Sequence, residues 1–218
     1  MKISYIREII GRLKWEYDKP ERKTRIDAVA VLIQTILSQN TSDNNSGRAF
    51  SNLIKTYKSW DRVAVAPLHS IAEAIRGGGL AEVKARYIKS SLVKIKRIHG
   101  KIDLLFLSQM PMDMARNWLL QLPGVGLKTA NCVLLFSSGM PALPVDTHIY
   151  RVARRLGLIE KGASIEQAHS QLAKIVPSEE VFSFHVLMIE HGRRICKARI
   201  PECQSCIFTS FCPTSGTA

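Results

Sequence analysis

Hydrophobic positions recur along the chain at the three-and-four spacing of α-helices, and the alternation that marks a strand is scarce. The pattern predicts an all-α protein. Residues 26–37 carry Ala28, Val29, Val31, Leu32, Ile33 and Ile36 with little polar face left over, which predicts a central, buried helix. From Ala81 to His99 the spacing is amphipathic: Val83, Tyr87, Ile88, Leu92 and Ile95 oppose Lys84, Arg86, Lys89, Lys94, Lys96 and Arg97. A helix with a basic solvent face is expected there, its lysines either merely hydrated or touching a polyanion. The Gly77-Gly78-Gly79 triplet in front of it predicts a tight loop. Two more helical patterns, Ala115 to Gln121 and Leu127 to Phe136, are joined by Leu122-Pro123-Gly124-Val125-Gly126. With no repeat, low-complexity tract or Pro- or Ser-rich hinge, a second domain has to form by the chain folding back on itself.

Composition narrows the partners. A chain of 218 residues can bury a substantial core. Its 31 Lys and Arg against 18 Asp and Glu leave a net charge of +13, which points to a polyanion, although charge alone also fits a merely soluble basic protein. Charge interrupts Met1-Lys2-Ile3-Ser4-Tyr5-Ile6-Arg7-Glu8 before a signal-peptide core can form, and no later apolar run approaches the ~20 residues of a membrane span. A cytoplasmic, intracellular protein without a membrane partner is expected. In such a compartment five cysteines argue for ligand or redox work rather than disulfides.

Three places carry chemistry. In the short turn, Pro123 ends the first helix, and Gly124 and Gly126 permit backbone angles and close approach that side chains would forbid. The N–H groups that open the second helix then face outward, where the helix dipole favours an anion. A bare Gly-x-Gly would be no more than a packing element. Secondly, Asp146 in Pro144-Val145-Asp146-Thr147-His148 precedes an apolar-periodic stretch and reads as a helix N-cap. Thirdly, Cys196, Cys203, Cys206 and Cys212 have the spacing C-x6-C-x2-C-x5-C. Four thiolates that close require a soft metal centre, and on chemistry alone zinc and iron–sulfur both remain open. Cys132 lies in an apolar helix and reads as core packing.

The string Leu-Pro-Gly-Val-Gly-x-Lys-Thr-Ala, followed by a loop with Gly139 and Pro141 and then by Pro144-Val145-Asp146-Thr147-His148, resembles the helix-hairpin-helix DNA glycosylase superfamily. Within it the chain is most similar to endonuclease III, from about Ile26 to Cys212, through Ile36-Leu37-Ser38-Gln39, the Gly79-Leu80 turn, the hairpin and the cysteine tail. The resemblance implies the helix-hairpin-helix glycosylase fold: a helical barrel over residues 23–135, an iron–sulfur cluster domain from residues 1–22 and 136–218, and DNA in the groove between. It implies a monomeric, nucleoid-associated repair enzyme acting on double-stranded DNA with damaged bases or abasic sites. The activity would be that of a bifunctional N-glycosylase and apurinic/apyrimidinic lyase for oxidised pyrimidines.

Residue by residue, Lys128 matches the Schiff-base nucleophile and Asp146 its catalytic partner, and the four cysteines match the ligands of a 4Fe-4S cluster. Gly124, Val125 and Gly126 would hold DNA phosphate, with Arg193, Lys197 and Arg199 near the cysteines. Leu80 matches a wedge residue, and Asn40, next to Gln39, stands where the family has a glutamine that fills the space opposite the displaced base. Ala81 replaces a frequent aromatic. His148 fits packing or phosphate contact as well as catalysis. A mismatch-specific thymine/uracil glycosylase of the same fold is an alternative. An adenine glycosylase would need a glutamate where Gln34 stands, and a non-catalytic redox-sensitive DNA-binding protein would have no need of Lys128 with Asp146.

Overall fold

Why the apolar positions lie where they do is visible in the computed structural model, which describes residues 2–22 and 26–215. Met1, residues 23–25, where the first expected domain boundary falls, and residues 216–218 lie outside the described residues. Secondary structure among the described residues is helical throughout, without strands. None of these helices is long and apolar enough to cross a membrane. The chain divides into two compact units, one of residues 23–140 and the other of residues 1–22 with 141–218.

The first, hairpin unit contains α2 (Ala28–Leu37), α3 (Asp43–Tyr57), α4 (Trp60–Val65), α5 (Leu68–Ala74), α6 (Ala81–His99), α7 (Met112–Leu120) and α8 (Leu127–Val133). Its centre is α2, which packs against α3, α6 and α8. Leu32, Ile33, Ile36 and Leu37 are wholly buried. Such a helix has no polar face to orient it, so its start is set by a cap: one Asp27 carboxylate oxygen accepts the Val29 N–H at 2.9 Å, and the other accepts the Trp60 indole N–H at 2.8 Å. Ser42 and Ser59 cap α3 and α4 in the same way. The tight loop expected at the glycine triplet is a 3-10 turn over Arg76–Gly78 with Gly79 as its C-cap, and α8 runs on into a π-helical turn, Leu134–Ser138.

The second, cysteine unit contains α1 (Lys2–Glu16), α9 (Thr147–Arg155), α10 (Ile165–Ile175) and α11 (Val181–Arg194). Here α11 packs on α9 and α1, and Phe184, Met188, Val152 and Ile9 are fully buried. Distant segments are tied by polar contacts: Lys14 pairs with Glu180, Tyr5 donates to Leu156 O at 3.0 Å, and Arg12 donates to Ile207 O at 2.9 Å while lying over the Phe211 ring. Ser164 and Gln167 form a reciprocal capping box at the start of α10.

Truncating Leu32 to alanine is expected to destabilise the hairpin unit by about 2–5 kcal/mol, the cost of a cavity in a well-packed core. Chemical denaturation checks this, and a loss below about 1 kcal/mol would contradict a central place for α2.

Candidate active site

The hairpin turn is held by its carbonyls. Lys94 Nζ donates to Gln121 O at 2.8 Å, Ser91 Oγ to Pro123 O at 3.2 Å and Gln39 Nε2 to Gly124 O at 2.9 Å. With these oxygens turned toward the protein, the turn keeps its opposite side for other contacts. The two glycines differ in what they need. Gly124 has φ +75, and a Cβ there would sit 2.3 Å from the Tyr87 ring, so both conformation and packing require glycine. Gly126 has φ −95, open to any residue, and a Cβ built on it meets nothing within 4 Å. Close approach from outside the protein is what remains to explain glycine at this position.

Gly126 is also the N-cap of α8 and offers no capping side chain, so the first-turn N–H groups are left for solvent or ligand. Lys128 is the second residue of that helix and is half-buried. The Val125 side chain is buried and its N–H donates to Leu122 O at 3.2 Å, closing the turn. Arg116 holds α7 to α8 by donating to Asn131 Oδ1 at 2.9 Å.

Two loops of the same unit carry unusual backbone. Asn40 and Leu80 have φ of +51 and +50, and with Lys58 they are the non-glycine residues with positive φ among those described. For a branched side chain such as leucine this conformation costs about 1–2 kcal/mol. Leu80 is not compensated by full burial, since 57% of it is exposed. An apolar side chain that is both strained and exposed is better suited to an external partner than to the fold. Gln39, expected at a DNA surface, reaches Gly124 O and joins its loop to the hairpin.

The lysines of α6 do not form a uniformly hydrated face. Lys84 is 1% exposed and its ammonium donates to Leu37 O and Gly78 O, each at 2.7 Å; burial pushes its pKa down. Lys89 donates to Ala66 O at 2.7 Å, Lys94 to the hairpin, and Lys96 pairs with Asp61 at 2.6 Å. Four of the six basic residues read as a solvent face therefore have a partner within the protein, but only Lys84 is buried.

In the cysteine unit, Asp146 is the N-cap of α9, its Oδ1 accepting the Ile149 N–H at 2.8 Å. The strand-like lead into it is held by two buried histidines that sequence reasoning passed over. His185 Nδ1 donates to Pro144 O at 2.9 Å, and His169 Nε2 accepts the Val145 N–H at 3.0 Å while its Nδ1 donates to Ile165 O. No spacing rule marks such residues, because they sit some 24 and 41 positions downstream of their partners. His148 contacts Arg151 at 3.2 Å, and Arg151 donates to Cys196 O and Gly192 O.

Cys196, Cys203, Cys206 and Cys212 are all free thiols and line one small pocket with Arg155, Ile195 and Pro201. Among the described residues no His, Cys, Asp or Glu set is spaced to hold a single metal ion. Burial pushes the Cys206 thiol up, the Phe208 N–H lowers it, and the other three cysteines push it up again. That mutual repulsion is what a shared cationic centre relieves. Donors already face the sulfurs: Arg155 Nη1 lies 3.3 Å from Cys196 Sγ, and the Phe208 N–H lies 3.4 Å from Cys206 Sγ. His191 is held to about 4 by burial and is neutral at pH 7. Its Nδ1 lies 3.0 Å from the Tyr17 hydroxyl, whose pKa burial pushes up to about 12, and its Nε2 lies 3.6 Å from Cys206 Sγ. Arg193, Lys197 and Arg199 are exposed, and Lys197 pairs with Glu202.

Residues 33–178 match the family model described as the HhH-GPD superfamily base excision DNA repair protein. The chain is 34% identical over 207 residues to the endonuclease III of Thermotoga maritima, a match covering 94% of this chain and 89% of that protein. It is 35% identical over 190 residues to an Arabidopsis thaliana protein named for DNA glycosylase activity, covering 83% of this chain but 64% of that longer protein. Among solved structures, a trapped endonuclease III–DNA covalent intermediate superposes with a TM-score of 0.85 at 31% identity, covering 99% of this chain and 97% of that one. A thermostable thymine-DNA glycosylase, 22% identical with a TM-score of 0.78, shares the fold.

The contrast between the two hairpin glycines is testable. Gly124→Ala is expected to lower stability by about 1–3 kcal/mol through strain and the Tyr87 clash. Gly126→Ala should leave thermal unfolding unchanged while weakening binding to an abasic-site duplex, as measured by fluorescence anisotropy. Equal stability losses in the two variants would remove the case for an external partner at Gly126.

Proposed function

The chain belongs to the HhH-GPD superfamily of base excision DNA repair proteins, in its endonuclease III family, and from that premise we propose that it is a bifunctional DNA N-glycosylase and apurinic/apyrimidinic lyase for oxidised pyrimidines in double-stranded DNA. The observation that carries the reading is Lys128 at the second position of a helix whose N-cap, Gly126, has open space in front of it. Phosphate held by the first-turn N–H groups of α8 would bring a sugar beside the lysine, and glycine at the cap lets the backbone be approached closely.

As the glycosidic bond breaks, positive charge builds at C1′, and the Asp146 carboxylate is the group assigned to stabilise it. The Lys128 amine nitrogen bonds to C1′ and gives up a proton while the base leaves with the bonding electron pair and takes up a proton. Opening of the sugar ring gives the imine, and loss of a C2′ proton then expels the 3′ phosphate. Capping α9 and stabilising this charge are compatible roles, because one carboxylate oxygen can accept the cap N–H while the group as a whole faces the developing charge. Asn40 and Leu80 are assigned to the gap left by the displaced nucleotide, and exposed Arg193, Lys197 and Arg199 to the phosphate backbone.

Cys196, Cys203, Cys206 and Cys212 would hold a 4Fe-4S cluster, whose contribution is to organise the basic segment between the first two cysteines. Support comes from the donor set and its spacing: four thiols lining one pocket. Arg155 steadies that segment by donating to Lys197 O at 2.7 Å and Ala198 O at 3.2 Å. The enzyme would work on chromosomal DNA inside the cell.

Borohydride trapping on an abasic duplex tests the chemistry. Lys128→Ala should abolish the adduct, and undiminished trapping would overturn the assignment. Asp146→Asn keeps a capping side chain but loses the charge, so base removal should slow about 10²-fold or more with DNA binding retained; a normal single-turnover rate would leave capping as its role. A panel of thymine glycol, dihydrouracil, uracil opposite guanine and thymine opposite guanine separates the oxidised-pyrimidine reading from mismatch specificity. Strand scission without alkali marks the lyase. For the cluster, a broad absorption band near ~400 nm with bound iron is expected, and stoichiometric zinc without that band would refute it.

A further inference from the structure

The two loops assigned to the DNA gap meet at one buried side chain. Lys84 lies in the first turn of α6, and its backbone N–H donates to Leu80 O at 3.0 Å. Its ammonium donates to Gly78 O, on the far side of Gly79, and to Leu37 O, the last residue of α2 and the lead into Gln39-Asn40. A single residue thus grips the 77–80 turn at two carbonyls and the 37–41 loop at a third. Both loops contain a residue held at positive φ without being glycine, Leu80 in one and Asn40 in the other. Gly79 adds its own left-handed angle, and the position of its missing Cβ lies 3.9 Å from Thr41 Oγ1, so the loops also lie side by side. Gln39 then ties the second loop to Gly124 O of the hairpin.

A lysine is expensive to bury, and a hydrophobic residue at this core position would pack without any desolvation cost. What it adds is a convergent set of donors that fixes two strained loops against each other. Strained backbone persists only where its surroundings over-determine it, and Lys84 supplies that determination here.

We propose that Lys84 is a positioning residue for base displacement: it locks the 37–41 and 77–80 loops together so that Asn40 and Leu80 enter the duplex as one preformed unit. The inference rests on the assignment of Asn40 and Leu80 to the gap. Ordering these loops before DNA arrives removes that entropic cost from the step in which the stack is opened. Lys84 has no part in the bond-making at C1′, which belongs to Lys128.

The test uses the full chain as wild type, Lys84→Met, Leu80→Ala and the double variant, with two substrates. One is a thymine glycol duplex carrying 2-aminopurine beside the lesion to report unstacking. The other is a single-stranded abasic oligonucleotide, which has no stack to open. Lys84→Met is expected to slow unstacking and base removal on the duplex by about tenfold or more while borohydride trapping on the single strand stays within about twofold. In the Leu80→Ala background the same change should add little, because Lys84 acts through that residue. Equal losses on both substrates, full duplex activity, or additive effects in the double variant would each overturn the proposal.

Should methionine prevent folding, Lys84→Gln keeps one donor and is expected to show the same selectivity at smaller size. Hydrogen exchange on the DNA-free variants gives an independent reading, with faster exchange expected at the amides of residues 38–41 and 78–80; unchanged exchange there would also overturn the lock. A wild type inactive on both substrates would instead refute the glycosylase and lyase assignment, and the exchange measurement would still decide whether Lys84 fixes the loops.

Discussion

Backbone carbonyls at the ends of helices and in turns need donors, and in the hairpin unit the side chains of one helix supply five of them. Along α6, Lys84 serves Leu37 and Gly78, Lys89 serves Ala66, Ser91 serves Pro123, and Lys94 serves Gln121. Four connections that would otherwise carry unsatisfied oxygens are thereby fixed to a single 19-residue helix. The placement of the hairpin and of both strained loops depends on this arrangement. Positive side chains are apt for it, because the carbonyl ends of helices carry partial negative charge and a long stem lets the head group reach them.

The same arrangement explains where a sequence reading of α6 stops. Its limits, Ala81 and His99, are legible, as is the apolar stripe through Ile88, Leu92 and Ile95. The destination of its lysines is not. Helical periodicity assigns a lysine to solvent by default, whereas Lys84 threads its stem through the core and ends at two carbonyls. Burial of Lys84 withdraws one of the charges behind the net +13 from the surface available to a polyanion. A similar limit applies to the glycines. Composition marks Gly124 and Gly126 as equivalent, but the Tyr87 ring packed on Gly124 is a contact across 37 residues that no local pattern encodes.

What was legible in the candidate site is local, and what was hidden is long-range. Asp146 as an N-cap follows from the residues after it, and the cysteine quartet follows from spacing. The groups that orient these residues come from elsewhere in the chain. His169 and His185 hold the peptide leading to Asp146, and Arg155, His191 and the Phe208 N–H face the sulfurs. Each of these supporting contacts other than Phe208 joins residues at least 15 positions apart. Residue type gives little warning of them, since a buried histidine satisfied by backbone looks in sequence like any other histidine.

Strain gives the most direct line from backbone to function. A protein free to choose would place glycine or asparagine at a left-handed position, and Asn40 fits that rule. Leu80 does not: it bears a branched apolar side chain, adopts the left-handed region, and stays more than half exposed beside a glycine triplet that could have supplied the turn. Stability alone would select against all three properties together. They become coherent if the side chain is destined for an apolar environment that the folded chain does not contain, and the space between stacked bases is such an environment. On that argument the cost borne by Leu80 in the free protein is part of what makes insertion favourable, because the loop is already in the shape that the duplex requires.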